Sequence, residues 1–190
     1  MASNRISRLC LGLSVGLTLT AAWLPAMAQT EAVSTYETFR ERFNGTWRLS
    51  TPLPRGRQVI DRAVEQTVSA MNFFTRPIAR PMLRDATPLN RAIHLRFVGE
   101  NRLSVQFDDQ ETYVTQVGRT SSRYRTSGGD PMRVTQRFRD SGQLEQVFQA
   151  DDGTRWYVWT IQPNGHARLD STTNGEMMPQ PMHYTLEYRR

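Results

Sequence analysis

From Arg91 to the end of the chain, apolar and polar residues alternate with a period of two. Ile93, Leu95 and Phe97 form the first such run, Leu103, Val105 and Phe107 the second, and Tyr113, Thr115 and Val117 the third. Met132, Val134, Gln136 and Phe138 follow, then Leu144 with Phe148, the stretch Trp156 to Ile161, and finally Tyr184, Leu186 and Tyr188. Successive side chains of a strand point to opposite faces, so each run reads as a strand with one buried face. Turn formers separate the runs: Gly99-Glu100-Asn101, Asp108-Asp109, Ser127 to Asp130, Asp140-Ser141-Gly142, Asp151-Asp152-Gly153 and Pro163-Asn164-Gly165. They supply the positive φ angles and local side-chain bonds of tight hairpins. Connections this short favour an up-and-down meander over a Greek key, which needs long returns. Such a meander removes its edges by closing on itself.

The pattern before residue 91 is different. Glu31 to Phe43 reads as a short helix, with Tyr36, Phe39 and Phe43 three and four residues apart, and Asn44-Gly45 stops it. Thr46 to Ser50 reads as a strand around Trp47 and Leu49. From Arg57 to Phe74, Ile60, Ala63, Val64, Thr67, Val68, Met71 and Phe74 fall on one face of a helix. Pro77 suits the first turn of a second helix, so two helices are predicted at roughly 57–74 and 77–85. The predicted fold is mainly β: an up-and-down antiparallel β-barrel of about nine or ten strands, with a helix–turn–helix insert after the first strand. The helical pair is expected to lay its stripe over one mouth of the barrel or against its side.

The N-terminus changes what the composition means. Arg5 and Arg8 precede an apolar stretch from Leu9 to Leu24, and Pro25 leads into Ala26-Met27-Ala28. A basic start, a short apolar run and small residues at a cut site are the parts of a cleavable export signal. The expected organisation is therefore a signal peptide over 1–28 and a single domain over 29–190, destined for the periplasm or for secretion. The apolar stretch is shorter and more polar than a spanning helix requires, which disfavours an uncleaved anchor, and no second apolar segment is long enough to span, so no membrane span is expected in the mature protein. Cleavage would remove Cys10, the only cysteine, and two arginines, lowering the net charge from +6 to +4. Acidic residues are spread throughout, so no electrostatic footprint for nucleic acid is present. All 24 basic residues are Arg.

The stretch Phe43-Asn44-Gly45-Thr46-Trp47-Arg48-Leu49 follows the short helix and opens the first strand. It resembles the F-x-G-x-W opening of the calycin superfamily, the lipocalins and fatty-acid-binding proteins. The helix–turn–helix after that strand, followed by a long meander, is similar to the fatty-acid-binding branch. The closing segment from Leu169 through Tyr184 to Arg189 resembles that of bacterial exported lipocalin-like proteins. The resemblance implies that Trp47 plugs the closed end of the barrel with a late arginine across its ring, Arg189 or Arg190, Arg189 being the first choice. The fatty-acid-binding branch also holds a ligand carboxylate with an Arg-x-Tyr on the last strand. The matching place here reads Leu186-Glu187-Tyr188, a departure from that motif.

Candidate chemistry is sparse. His94, His166 and His183 show no metal-binding spacing, and His94 and His183 alternate out of phase with their apolar neighbours, so both are expected to face outward. No metal or cofactor is expected. No G-x-S-x-G elbow is present, and no catalytic residue is assigned. Asp108-Asp109 and Asp151-Asp152-Gly153 read as hairpin turns rather than calcium ligands or an acid pair. Arg76, Arg80 and Arg84 form a ridge on the second helix, either an anion clamp or a solvated face. In Trp156-Tyr157-Val158-Trp159, Trp156 and Val158 face one way and Tyr157 and Trp159 the other. The residues expected to line a ligand cavity are Met71, Phe74, Tyr113, Trp156 and Tyr184. Because pockets favour the mouths of β-barrels, the expected function is that of an exported, non-catalytic binding protein for a small apolar or amphipathic molecule. The alternative is a structural or protein-interaction module of the cell envelope with a barrel filled by side chains. The oligomeric state is left open.

Overall fold

The alternation after residue 91 does build a meander. In a computed structural model, which describes residues 36–118, 120–126 and 129–190, ten antiparallel strands form one sheet. These are β1 (Gly45–Leu49), β2 (Ala92–Val98), β3 (Arg102–Phe107), β4 (Thr112–Gln116), β5 (Ser122–Arg125), β6 (Pro131–Phe138), β7 (Leu144–Ala150), β8 (Gly153–Ile161), β9 (Ala167–Gly175) and β10 (Met182–Arg189). The spatial order is β4-β3-β2-β1-β10-β9-β8-β7-β6-β5, so the first and last strands pair and the sheet curls into a nearly closed barrel. The export signal expected over 1–28, the start of the helix expected from Glu31, and Ser127-Gly128 of one expected turn lie outside the described residues. Among the described residues no helix is long and apolar enough to cross a membrane.

Two strands carry little apolar signal. β5 has four residues with Tyr124 as its only aromatic, and the residues of β9 on the core side begin Ala167, Leu169 and Ser171. Pairing with neighbours on both sides makes β9 a strand despite this composition.

The helices also shift from their expected bounds. The described part of the first, α1, spans residues 36–43. The second, α2 (Leu53–Ser69), begins four residues earlier than expected, because Pro54 sits in the first turn, where no N–H is needed. Gly56 lies in that turn because a Cβ there would meet Leu49 and Leu89 at 3.2–3.3 Å. The helix ends at Ser69, so Phe74 falls outside it, in the turn before α3 (Arg76–Asp85). Ile60, Ala63, Val64, Thr67 and Val68 of α2 are buried and cover the barrel mouth, whereas α3 buries no residue. Arg80 and Arg84 do not form an open anion clamp. Arg80 pairs with Glu65 at 2.8 Å, and Arg84 reaches Asp61 and Glu65 on α2. Asp108 proves to be a turn residue: at φ 47°, its carboxylate accepts from the backbone N–H groups of Arg91 and Ala92.

The end opposite these helices is sealed by rings. Trp47 Nε1 donates to Phe43 O at 2.9 Å, and Phe138 stacks on Phe39 and Phe97. The arginine over Trp47 is Arg190, 4.9 Å from the ring centroid, and not Arg189. The strand alternation decides this: Tyr188 points inward, so Arg189 points out and Arg190 turns back. Arg190 also donates to the carbonyls of Glu41 and Arg42, tying α1 to the chain end.

β4 and β5 share no ladder, and the seam is crossed by one backbone bridge, the Gly118 N–H donating to Gln136 O at 2.8 Å, and by side chains. Tyr124 Oη donates to Val114 O and accepts from Val114 N–H, each at 2.6 Å. Inside the barrel, Trp159 Nε1 donates to Gln146 Oε1 at 2.8 Å and Gln146 Nε2 to Gln136 Oε1 at 2.6 Å. Gln136 Nε2 then donates to Leu103 O and Thr115 Oγ1 at 2.9 and 3.0 Å. This chain runs from β8 across the seam to β3 and β4, and its members are fully buried. On the outer side of β7, the Glu145 side chain is 4% exposed and pairs with Arg137 and Arg139.

Two outcomes are expected. Gln136→Leu strands the Gln146 amide, the Thr115 hydroxyl and the Leu103 carbonyl, and costs about 2–3 kcal/mol in urea denaturation. A loss below about 1 kcal/mol would mean that the network does not hold the seam. Burial pushes the Glu145 carboxyl up, but hydrogen bonds from Arg139 and Arg137 outweigh it and hold it below the usual carboxylate range. The wild type is therefore more stable than Glu145→Gln by about 1–2 kcal/mol, the arginines being half exposed. This difference is complete above the ordinary glutamate range and disappears as pH falls through the lowered value. A difference that stays constant through acid denaturation curves between neutral pH and about pH 3 would contradict the pairing.

Candidate ligand-binding site

The upper half of the barrel is not filled like the lower. α3, the β7–β8 turn and the β9–β10 loop enclose a groove of about 470 Å³ at the mouth. Met82 and Leu83 line it from α3, Phe148 and Arg155 from the strands, and Met177 and Met178 from the β9–β10 loop. An apolar recess of about 130 Å³ extends it beneath α3, shares those four apolar residues and adds Met71 and Ile78. A second recess of about 120 Å³ leads inward past Arg155 to Asn90, Gln110, Tyr113 and Tyr157. Unbranched, polarisable methionines at the outer end make a surface that adapts to apolar shapes. The inner end is bounded by a cluster of rings: Phe107, Tyr113, Phe148 and Tyr157 meet with centroids 5.6–5.7 Å apart.

Arg155 stands where groove and inner recess join. It shares its strand face with Tyr157 and Trp159, so the alternation of β8 sends it inward. Its Nη2 donates to Ala86 O at 2.5 Å and its Nε to Thr173 Oγ1 at 3.3 Å, which fixes the guanidinium between α3's C-terminal end and β9. Burial alone would lower its pKa, but the neighbouring Tyr157 and Tyr184 hydroxyls more than offset this, and the group stays a cation. Among the described residues no carboxylate comes within 4 Å of it. The acids that line the groove, Asp152 and Glu176, are exposed. A desolvated cation without a counter-charge is costly unless an anion joins it. Asn90, in the inner recess, keeps a buried side-chain oxygen with no hydrogen-bond partner. Burial pushes the Tyr184 and Tyr188 hydroxyls above the usual tyrosine range, so both remain protonated donors. Tyr188 uses its proton on Asn90 O at 3.0 Å.

The structure brings some expected cavity residues together and separates others. Met71 lines the apolar recess and Tyr113 the inner one. Tyr184 is buried beside Tyr157 and Arg155, below the open space. Phe74 is 82% exposed and edge-on to Phe73, because α2 ends before it. Trp156 lies on the outer face of β8, opposite Tyr157 and Trp159, paired with Val147 and Thr172. It does not reach the cavity, since the face carrying Tyr157 is the one turned inward. His94 and His183 also face outward, with Nδ1 beside the hydroxyls of Thr46 and Thr172. Arg155 was missed, although the period of two that divides Trp156 from Tyr157 places it on the inner side. Met177 and Met178 carry no such signal, since they sit in a loop.

No family model matches the chain, and no curated protein matches it. Among solved structures, a Schistosoma mansoni fatty-acid-binding protein in complex with arachidonic acid is 14% identical, with a TM-score of 0.48 over 80% of this chain and 97% of that one. A Drosophila melanogaster brain fatty-acid-binding protein is 11% identical, with a TM-score of 0.44 over 77% and 97%. As-p18, an extracellular fatty-acid-binding protein, is 8% identical, with a TM-score of 0.45 over 80% and 98%. These neighbours are fatty-acid-binding proteins, and this chain is a nearly closed ten-stranded barrel with two helices inserted after its first strand.

Proposed function

We propose that the protein is an exported, non-catalytic carrier in the periplasm or outside the cell, which holds a small amphipathic molecule with an anionic headgroup. The observation that carries this reading is Arg155: a half-buried, inward-facing cation with no carboxylate within 4 Å among the described residues, where an apolar groove meets the inner recess. The headgroup takes the guanidinium donors left after Ala86 and Thr173, and the inner recess offers Tyr157 and Asn90 beside it. The tail runs outward along Phe148 and Leu83 to the methionines under α3. The groove alone exceeds the roughly 300 Å³ typical of small-molecule sites. The export step rests on the sequence of residues 1–28, whose basic, apolar and small-residue parts fit a cleaved signal. The filled lower half supports the rival reading of a structural envelope module, since Trp47, Trp159 and Tyr188 leave no space there.

Calorimetric titration with decanoate and decanol, which share a tail and differ in charge, tests the headgroup. Decanoate is expected to bind more tightly, and Arg155→Gln to weaken it by about 10–100-fold while leaving decanol within about twofold. Equal loss for both ligands would assign Arg155 to packing. Failure of either to bind, together with no small molecule in native mass spectra of protein taken from its own cells, would favour the structural module.

A further inference from the structure

Among the described residues, most of the large apolar side chains left exposed lie at the lip of the mouth. Phe73 and Phe74 are 75% and 82% exposed, Ile78 65%, Met82 62% and Met177 77%. Only Leu53 and Val98 are comparable elsewhere among the described residues, each near 40%. The turn that carries the two phenylalanines is ordered by side-chain hydrogen bonds. Asn72 Oδ1 accepts from the Phe74 N–H at 2.8 Å, and Thr75 Oγ1 donates to Asn72 O at 2.9 Å. Side chains of this size exposed to this extent offer roughly 500–700 Å² of apolar surface, at the upper end of the largest patch that a monomer leaves bare, where such patches are often functional.

We propose that this lip is the two-fold interface between two copies of the chain, joined mouth to mouth. Area and charge favour that occupant. Two such faces in contact bury roughly 1,000–1,400 Å², the range in which specific interfaces begin. A two-fold contact sets each patch against itself, so an apolar face needs no separate complement. The arginines behind the lip are already engaged. Arg80 and Arg84 pair with Glu65 and Asp61, and Arg76 donates to the carbonyls of Met71 and Ser69. Arg80 and Arg84 are thus charge-compensated and do little to repel a second copy, and Arg76, which keeps its charge, has its Nε and Nη2 taken by those carbonyls rather than free for lipid phosphates. Met82 and Met177 belong to both lip and groove, so the contact would roof the open side of the cavity. The interface does not depend on the nature of the ligand.

Sedimentation velocity from about 1 to about 200 µM reads this directly, by mass action. The wild type is expected to pass from monomer to dimer over that range. Phe73→Ser and Phe74→Ser are each expected to raise the dissociation constant at least about tenfold, since a few central rings dominate such contacts. Val98→Ser, at the far end of the barrel, is expected to leave it unchanged. Circular dichroism of each variant separates lost association from lost fold, and a second lip variant, Ile78→Ser, serves if one fails to fold. A monomer at every concentration, or a dimer indifferent to both phenylalanines, overturns the proposal. A monomer that co-sediments with phosphatidylglycerol vesicles through the same residues also overturns it, and gives the lip to a lipid surface.

Discussion

A sheet that curls on itself must satisfy the backbone of its two last strands, and here β4 and β5 stand apart. The fold depends on what fills that seam. At one level, one tyrosine hydroxyl takes the place of a neighbouring strand for Val114. Inside it, the amides of Gln136 and Gln146 pass a line of hydrogen bonds from Trp159 to Thr115 and Leu103. In a dry interior each polar group must find a partner, so the line is stabilising only because it is complete. It also specifies which residues face one another across the seam, a role that apolar packing, being non-directional, fills less well.

The same polar line divides the barrel into two functional halves. Toward α1, large rings pack the interior, and Arg190 lies over the Trp47 plug. Toward α2 and α3 the interior opens, and the side chains there are of a different kind: methionines, an unpaired arginine, an amide oxygen without a partner. The filled half buries the large rings, and the open half keeps a half-buried charge. The α2 helix joins the two roles. Its apolar stripe closes the core, and its acids hold the arginines of α3 in place over the groove.

Much of the scaffold was legible in the sequence. Alternation located β2, β3, β4 and β6 to β8, the Asn-Gly and Asp-Gly turns placed their connections, and the stripe Ile60 to Val68 gave the helix covering the mouth. The weak points were segments where packing context outweighs composition. β5 and β9 have few apolar residues and exist because their neighbours supply ladders. The helix expected to reach Phe74 stops at Ser69, and that difference of one turn moves Phe74 from the cavity to the surface.

The candidate site was less legible, for a geometrical reason. A period of two sorts residues into two faces but does not say which face is inside, how far along the barrel a residue lies, or what stands opposite. Trp156 was assigned to the cavity and Arg155 overlooked on that account, and Arg190, not Arg189, covers Trp47 because Arg189 continues the alternation of β10 and faces outward. The sequence by itself determined the mainly β class, the meander and the helical insert, because these follow from local periodicity and turn chemistry; the Trp47 plug came from the resemblance of its opening motif. Only the tertiary structure decided where the interior stays empty, which arginine turns into it and which apolar rings remain in water, because each is set by residues distant in the chain.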